Sequence, residues 1–183
     1  MLQYYFEKAC YTNNYVGKTL TELETHFAPA ERLENDEIYL QTIKILGLRK
    51  VLPVLNVLPN MVIIINEQRQ VIFANYAFTK MIGKKRFEDG LGQRPGELVN
   101  CIHANDHIYG CGTGENCRYC GAVLTILKSQ ETGLKQESDA IITVTKNGDH
   151  VPLDLQVIVS PIPIEDQLFY LVVFTENSNQ KSK

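Results

Sequence analysis

The sequence predicts an α+β fold, in which a five-stranded antiparallel sheet has short helices on one face and follows an N-terminal helical extension. Two short runs of β-branched apolar residues lie near the middle of the chain, and three more lie near its end. Segments typical of short helices separate the two groups, and a hairpin signal joins two of the later runs. Two strands, short helices and three further strands, in that order, favour a layered fold with one side of the sheet free for a ligand or a partner helix.

The composition is that of an ordinary globular protein. The chain has 183 residues, of which 44% are hydrophobic, and a formal net charge of −3, so it suits one domain with an extension. A nucleic-acid partner would favour a basic face, which this sequence does not provide. No apolar run reaches the length of a membrane span, and the first ten residues lack the features of a signal peptide. We therefore expect a cytoplasmic protein with no nucleic-acid partner and no membrane partner.

An apolar segment at helical spacing occupies the end of the extension. A short helix is predicted at 17–26, and a longer one begins where Asn35 or Asp36 provides an N-cap. Apolar residues continue to Pro53, which is expected to interrupt the helix, and then from 54 to 58. They are more numerous than one helix face requires. They either pack on the sheet of the same chain or pair with a second copy, as a homodimer.

Two strands are predicted at the start of the core domain. Met61–Ile65 and Val71–Ala74 are apolar and rich in β-branched residues, and the polar residues 66–69 between them favour a hairpin turn. The pattern of residues 75–83 favours a short helix that ends at a glycine. We expect the two strands to pair with each other and the helix to follow directly.

A helix and three strands are predicted in the second half of the chain. The helix spans 122–130, and the strands span 140–145, 151–160 and 168–174. Asn147-Gly148, between the first two of these strands, is the strongest short hairpin signal in the sequence. The middle strand alternates apolar and polar residues, so one of its faces is expected to be buried.

The order and spacing of these elements resemble a PAS domain. In that family a phrase of the type I/V-x-x-A-N-x-A joins the second strand to the first short helix, and residues 71–77 match it. The resemblance covers roughly residues 55–176 and implies a signal-sensing module without catalytic activity. The sequence also lacks a G-x-S-x-G, a phosphate-binding glycine loop and an H-E-x-x-H motif. The chain then divides into an N-terminal helical extension at 1–54, a PAS domain at 55–177 and a polar tail at 178–183.

Four of the five cysteines lie in a glycine-rich stretch, residues 89–121, with the spacing C-x9-C-x5-C-x2-C. They are Cys101, Cys111, Cys117 and Cys120. In a reducing compartment, clustered cysteines indicate metal binding or redox chemistry before structural disulfides. Neighbouring glycines permit the tight turns that bring thiolates together. We expect these four to bind one metal centre, with unliganded core cysteines or disulfides as the alternatives. The fifth, Cys10, is not expected to be a ligand.

Four thiolates suit either tetrahedral zinc or an iron–sulfur cluster. The resemblance favours iron–sulfur, because in PAS domains the helices before the third strand wall the cofactor pocket. The spacing, however, matches no ferredoxin pattern. His103 and His107 lie in the same stretch, and each is an alternate ligand that could replace one cysteine.

The segments around these cysteines resemble a cysteine-rich subgroup of PAS proteins. They are residues 94–97, 101–104, 110–113 and 117–122, together with 27–32 near the N-terminus. Members of that subgroup often precede histidine-kinase modules, but this chain has no phospho-accepting histidine segment and no ATP-binding glycine motif. We therefore expect a partner in trans, either a histidine kinase or another signalling protein. Arg94 and Glu97, which flank a Pro-Gly pair, are expected to anchor the loop.

Three functions remain open at this point. The first is a sensor that responds to redox state, oxygen or a small molecule through the four-cysteine site and passes the signal to its partner. The second is an adaptor for protein interactions, in which zinc only holds the loop together. The third is a thiol–disulfide redox protein that uses Cys117 and Cys120 as an exchange pair, although the βαβ context of such pairs is missing.

Overall fold

A computed structural model of the protein describes residues 24–177. Most of the helix predicted at 17–26 lies outside these residues, and so do Cys10 and the tail at 178–183. Residues 24–26, the remainder of that predicted helix, are not helical. The described part of the chain therefore begins with an irregular segment that leads into the first helix.

Two helices precede the sheet. α1 is Asn35–Leu46 and α2 is Leu52–Val57. Glu34, one residue before the earliest predicted cap, forms a reciprocal capping arrangement with Glu37 at the start of α1. Pro53 lies in the first turn of α2, where its missing N–H leaves no helical hydrogen bond unmade. Pro53 therefore lies at the beginning of a second helix. The helical structure is interrupted at residues 47–51, before Pro53, and not at Pro53 itself.

Five strands form one antiparallel sheet in the order β2-β1-β5-β4-β3. They are β1 (Met61–Ile65), β2 (Val71–Ala74), β3 (Gln136–Lys146), β4 (Asp149–Ile164) and β5 (Gln167–Glu176). β1 pairs with β2 on one side and β5 on the other, and all five of its residues are buried. The predicted fold class is confirmed.

Short helices connect β2 to β3 and cover one face of the sheet. They are α3 (Tyr76–Met81), a 3₁₀ helix (Phe87–Gly90), α4 (Pro95–Leu98), a second 3₁₀ helix (Glu115–Tyr119) and α5 (Gly121–Thr132). Successive side chains of β1 point to opposite faces. Met61, Ile63 and Ile65 share a core with residues of α3, α4 and α5. Ile64 shares a second core with α1 on the opposite face. Within residues 24–177, no helix combines the length and the apolar character that a membrane crossing requires.

The Asn147-Gly148 turn joins β3 to β4, as predicted. Both residues have positive φ, 54° and 91°, which the favoured type I′ hairpin turn requires. β4 extends beyond the predicted 151–160 through residues 161–164, which continue the pairing with β5 although they include two prolines. β3 extends beyond the predicted 140–145, because outer residues such as Glu137 continue the pairing while their side chains remain exposed. Apolar periodicity detects the buried part of a strand and therefore misses such ends.

Candidate functional site

A cavity of about 130 Å³ lies between the sheet and the helices on the same face. Its apolar wall includes Met61 and Phe174 from the sheet, Phe78 from α3 and Ile126 from α5. Residues between α4 and α5 form another part of the wall, and they include the cysteines. Cys101, Cys111, Cys117 and Cys120 all line this cavity. The structure thus brings the four predicted cysteines around one space.

The volume of the cavity limits what it can hold. It is close to the size of the engineered cavity of about 150 Å³ that admits benzene or xenon. It is well below the roughly 300–1,000 Å³ of pockets for drug-sized ligands and organic cofactors. The cavity as it stands therefore suits a compact occupant of a few atoms, and not a flavin or a haem.

Hydrogen bonds fix the cysteine loop, residues 99–120 between α4 and α5, to its surroundings. Cys101 forms an isolated bridge with β3, which attaches the start of the loop to the edge of the sheet. The N–H of Cys111 donates to Glu97 Oε1 at 3.1 Å, so the middle of the loop is tied to α4. Cys117 is buried within the second 3₁₀ helix, and Cys120 immediately precedes α5. Four different attachments therefore determine where the four thiols lie.

Gly96, in the first turn of α4, leaves room for the side chain of Cys111. A Cβ atom at this position would lie 2.5 Å from Cys111 Sγ, whereas its 3.5 Å distance from Cys101 Cβ would be an ordinary van der Waals contact. Any side chain here would therefore displace Cys111. The absence of a side chain at Gly96 is what lets Cys111 pack against α4.

The thiols are shielded from water, which disfavours their charged form. Burial raises the pKa of Cys111 to about 12, and burial also raises the pKa of Cys101 and of Cys120. Backbone N–H groups oppose this effect: Gly96 donates toward Cys111, His103 toward Cys101, and Ala122 and Val123 toward Cys120. These thiols are thus protonated at neutral pH unless a cation binds them, because metal binding deprotonates thiols.

The cysteines do not form a ready-made metal site. All four are free thiols. Among residues 24–177, no three His, Cys, Asp or Glu side chains are arranged to hold a metal ion. The four cysteines share a cavity, but a metal would have to draw their sulfur atoms together.

The two predicted alternate ligands lie in different surroundings. His103 lines the cavity, and its Nδ1 lies 2.7 Å from Asp106 Oδ2. The ring of His107 instead packs edge-on against His26, with 5.2 Å between ring centroids, and its Nδ1 lies 3.3 Å from Thr113 Oγ1. Of the two histidines, His103 is the one that lies beside the cysteines.

Arg94 is fully buried, and its guanidinium donates to six backbone carbonyls. The acceptors are the carbonyl oxygens of Pro29, Ala30, Glu31, Gln68, Tyr109 and Cys111, at 2.9 to 3.2 Å. The carboxylate of Glu97 accepts from the backbone N–H of Arg94 at 2.9 Å and forms an ion pair with Arg32. Burial and the neighbouring arginines lower the pKa of Arg94 to about 10, so it remains charged at neutral pH. Arg94 and Glu97 both connect α4 to the cysteine loop.

Arg69 also lines the cavity, which the sequence did not reveal. It belongs to the turn between β1 and β2 and is only 4% exposed. One of its terminal nitrogens donates to Pro29 O, whereas its Nε–H has no hydrogen-bond acceptor among residues 24–177. The sequence signal at this position is an arginine in a short polar turn, and such turns usually leave charged side chains in water.

Segment 26–32 is fastened to the cysteine loop. The N–H groups of His26 and Ala28 donate to Thr113 O and Gly112 O at 2.9 and 3.0 Å. The carbonyl groups of residues 29–31 accept from the buried arginines described above. Since α1 follows this segment after two residues, hydrogen bonds link the cavity wall to the start of α1.

Comparison with known proteins identifies the family. A family profile described as "PAS domain" matches residues 59–178, which are 120 of the 183 residues. The chain belongs to the PAS domain family. PAS domains are generally sensory, non-catalytic modules, so the chain contains a PAS sensory domain. No curated protein sequence matches it at a significant level. The cysteine-rich subgroup, which the match does not distinguish, stays a prediction.

Solved structures have the same fold as this PAS domain. The PAS domain of nitrogen regulation protein NR(II) from Vibrio parahaemolyticus is 19% identical, with a TM-score of 0.50 over 68% of this chain and 95% of that one. The LOV protein of Rhodobacter sphaeroides is 13% identical, with a TM-score of 0.50 over 75% of this chain and 70% of that one. At these identities the likeness establishes the fold.

Proposed function

We propose that this PAS domain senses a redox or small-molecule signal at the cysteine-lined cavity, through an iron–sulfur centre bound by four cysteines. The ligands would be Cys101, Cys111, Cys117 and Cys120. The observation that carries this proposal is that four free cysteines, attached at four different points, line one small cavity beside the sheet. Unrelated core cysteines have no reason to converge in this way.

The donor set and the space fit such a centre. Thiolates are the usual protein ligands of iron–sulfur clusters, and a cavity of about 130 Å³ suits a compact core. Backbone N–H groups point toward three of the four thiols, and donors of this kind orient and tune metal-bound ligands. The sulfur atoms would move closer together on binding, because they are not prearranged around one point.

The residues around the cysteines would have separate tasks. An iron–sulfur centre would supply redox chemistry, whereas zinc would supply a fixed link between loop segments. The apolar side chains of the sheet would keep water from the centre, and Arg94 and Glu97 would hold the loop against α4. His103, which lines the cavity, is the alternate ligand that could replace a cysteine.

The rival function as a thiol–disulfide exchange protein has less support. Exchange requires an accessible thiolate with a lowered pKa. Burial instead raises the pKa of Cys120, and Cys117 is 5% exposed. A zinc-stabilised adaptor remains the second candidate, because the same four thiolates suit tetrahedral zinc.

The signal would leave the cavity through segment 26–32 and α1. α1, α2 and the segment between them expose apolar side chains, which are Tyr39, Leu40, Ile43, Leu46, Val51, Val54 and Val57. A second copy of the chain, joined through this surface, is the partner we propose for it. The dimer would in turn act on a signalling protein such as a histidine kinase, in the cytoplasm, where thiols stay reduced.

Serine variants of each cysteine test the ligand set. We expect Cys101→Ser, Cys111→Ser, Cys117→Ser and Cys120→Ser each to lose most of the bound metal, because a hydroxyl is a poor replacement for a thiolate ligand. Cys10→Ser is the matched control and is expected to keep the metal content of the wild type. Metal and sulfide analysis of protein purified without oxygen gives the measurement. Retention of full metal content by any two of the four variants would contradict the proposed site.

A further inference from the structure

Two buried arginines line the cavity without a direct ion-pair partner among residues 24–177. Arg69 is 4% exposed and Arg94 is 0% exposed. Among residues 24–177, neither forms an ion pair. Glu97 is already paired with Arg32. The carboxylates of Glu31 and Glu97 act on Arg69 and Arg94 only from a distance, so within the described residues neither buried guanidinium has a carboxylate in direct contact.

Buried charges in proteins are paired or contribute to metal sites, because isolated charges are strongly disfavoured away from water. Arg94 spreads its charge over six carbonyl groups. In the described part of the chain, Arg69 has a single carbonyl partner, Pro29 O, and its Nε–H has no hydrogen-bond acceptor. Arg69 therefore has a donor and a charge that are both available to something inside the cavity.

The backbone at Arg69 strengthens this reading. Its φ is 64°, in the left-handed region that glycine and asparagine occupy more readily than arginine. Backbone strain of this kind persists mainly where the side chain has a task. The Arg69 side chain lies against Gly112, where a Cβ atom would be at an ordinary van der Waals distance of 3.6 Å from Arg69 Nε. The guanidinium is thus kept against the loop between Cys111 and Cys117.

We propose that Arg69 and Arg94 compensate the charge of the metal centre bound by the four cysteines, and that Arg69 Nε–H donates a hydrogen bond to a sulfur atom of the site. This inference rests on the proposed function. Four thiolates around Zn²⁺ leave two negative charges, and an oxidised iron–sulfur core with two positive charges gives the same total. The two positive charges of Arg69 and Arg94 equal the two negative charges of such a centre. Arg69 is therefore a positioning residue whose charge favours the binding of a doubly negative centre.

The test compares Arg69→Met with Arg69→Lys in the full chain. Both variants keep the same backbone strain and a long side chain, but only lysine keeps the charge. Affinity is measured by chelator competition, with zinc alone and with iron plus sulfide, without oxygen. We expect Arg69→Met to bind about 10- to 100-fold more weakly, as is typical when a group around the ligands is removed. Arg69→Lys is expected to recover most of that loss.

The side chain of Arg86 is 70% exposed, so Arg86→Met is the control variant and should bind the metal as tightly as the wild type does. Circular dichroism of the metal-free variants checks that they fold. Wild-type affinity in Arg69→Met, or equal losses in the Met and Lys variants, would overturn the role of the charge while leaving the metal site intact. A wild-type chain that binds neither metal would overturn the proposed function and this inference together.

Discussion

Arg94 joins three segments that are distant in sequence. Its guanidinium bonds to residues 29–31, to Gln68 in the β1–β2 turn, and to Tyr109 and Cys111 in the cysteine loop. Pro29 O also accepts from Arg69 and Tyr109 O from Arg32, whereas within residues 24–177 the other four carbonyls have Arg94 as their side-chain donor. The stability of the loop therefore depends on this one side chain, apart from any metal.

Arg94→Met tests this dependence. Methionine fills similar space but donates no hydrogen bonds, so several buried carbonyls lose their partner at about 1–3 kcal/mol each. We expect the free energy of unfolding of the metal-free protein to fall by at least about 3 kcal/mol. Urea denaturation measures it, with Arg86→Met as the exposed control expected to change it by under about 0.5 kcal/mol. A loss as small as that of the control would show that the carbonyls find other donors.

At the scale of single residues, the sequence predicts which residues belong to the site better than it predicts their hydrogen-bond partners. The spacing of the cysteines was sufficient to expect them around one site, and the Pro-Gly pair was sufficient to expect anchors at Arg94 and Glu97. The acceptors of Arg94 lie up to 65 residues away in the chain, so no local pattern indicates them. Arg69 was not predicted as a site residue, because the sequence of a turn does not show whether an arginine side chain is buried or exposed. Its left-handed backbone conformation has no sequence signal either.

Among the elements, α2, β1 and α3 meet at Asn75. Its side-chain oxygen accepts from Val62 N and Phe78 N, both at 3.0 Å. Its amide nitrogen donates to Leu55 O at 3.0 Å and Asn60 O at 2.9 Å. The residue is 0% exposed, and its bonds to Val62 N and Phe78 N are buried. One asparagine thus caps α3 and holds both preceding elements in place.

Asn75→Ala and Asn75→Asp separate these two tasks. Alanine removes the cap, worth about 0.5–2 kcal/mol, and leaves buried groups unpaired, so we expect a total loss of about 3 kcal/mol or more. Aspartate keeps both acceptor bonds but places a carboxylate against the two carbonyls of Leu55 and Asn60. We expect it to be destabilising as well, and increasingly so as the pH rises above the range where the carboxyl is protonated. Thermal or urea unfolding at several pH values provides the measurement. If the stability of Asn75→Asp relative to the wild type did not change with pH, the assignment of the Asn75 amide nitrogen as the donor to Leu55 O and Asn60 O would be contradicted.

Strong apolar runs predicted the strands well, whereas short helices and the outer ends of strands were not predicted. β1 and β2 have the predicted bounds because their residues are all buried and apolar. The two 3₁₀ helices and α4 have four or five residues each, too few to show helical periodicity, and so the stretch 89–121 gave no elements. The outer residues of β3, such as Glu137, escaped detection because their side chains are exposed, and the end of β4 escaped detection because Pro161 and Pro163 are uncommon inside strands.

The whole molecule connects its cavity to its N-terminal helices. The cysteine loop bonds to segment 26–32, that segment leads into α1, and α1 packs on the sheet through Ile38 and Ile45. The opposite side of α1 is apolar and exposed, with Leu40 at 61%. A change in the loop therefore has a short physical route to a surface suited to a second copy.

Leu40→Glu tests the role of this surface. A charge in the middle of an apolar contact is strongly disfavoured, so we expect the variant to be monomeric where the wild type has twice the chain mass. Light scattering with size-exclusion chromatography measures the mass. Leu134→Glu, in the turn before β3 and similarly exposed at 62%, is the matched control and should remain a dimer. A monomeric wild type would rule out this surface as a dimer contact.

The metal and sulfide content of the wild-type protein, purified without oxygen and recorded with its visible spectrum, tests the central claim most directly. The proposed iron–sulfur centre predicts a brown protein with iron and inorganic sulfide in stoichiometric amounts and a broad visible absorbance that oxygen bleaches. A colourless protein would contradict it, whether the four thiols are free or one zinc ion is bound per chain.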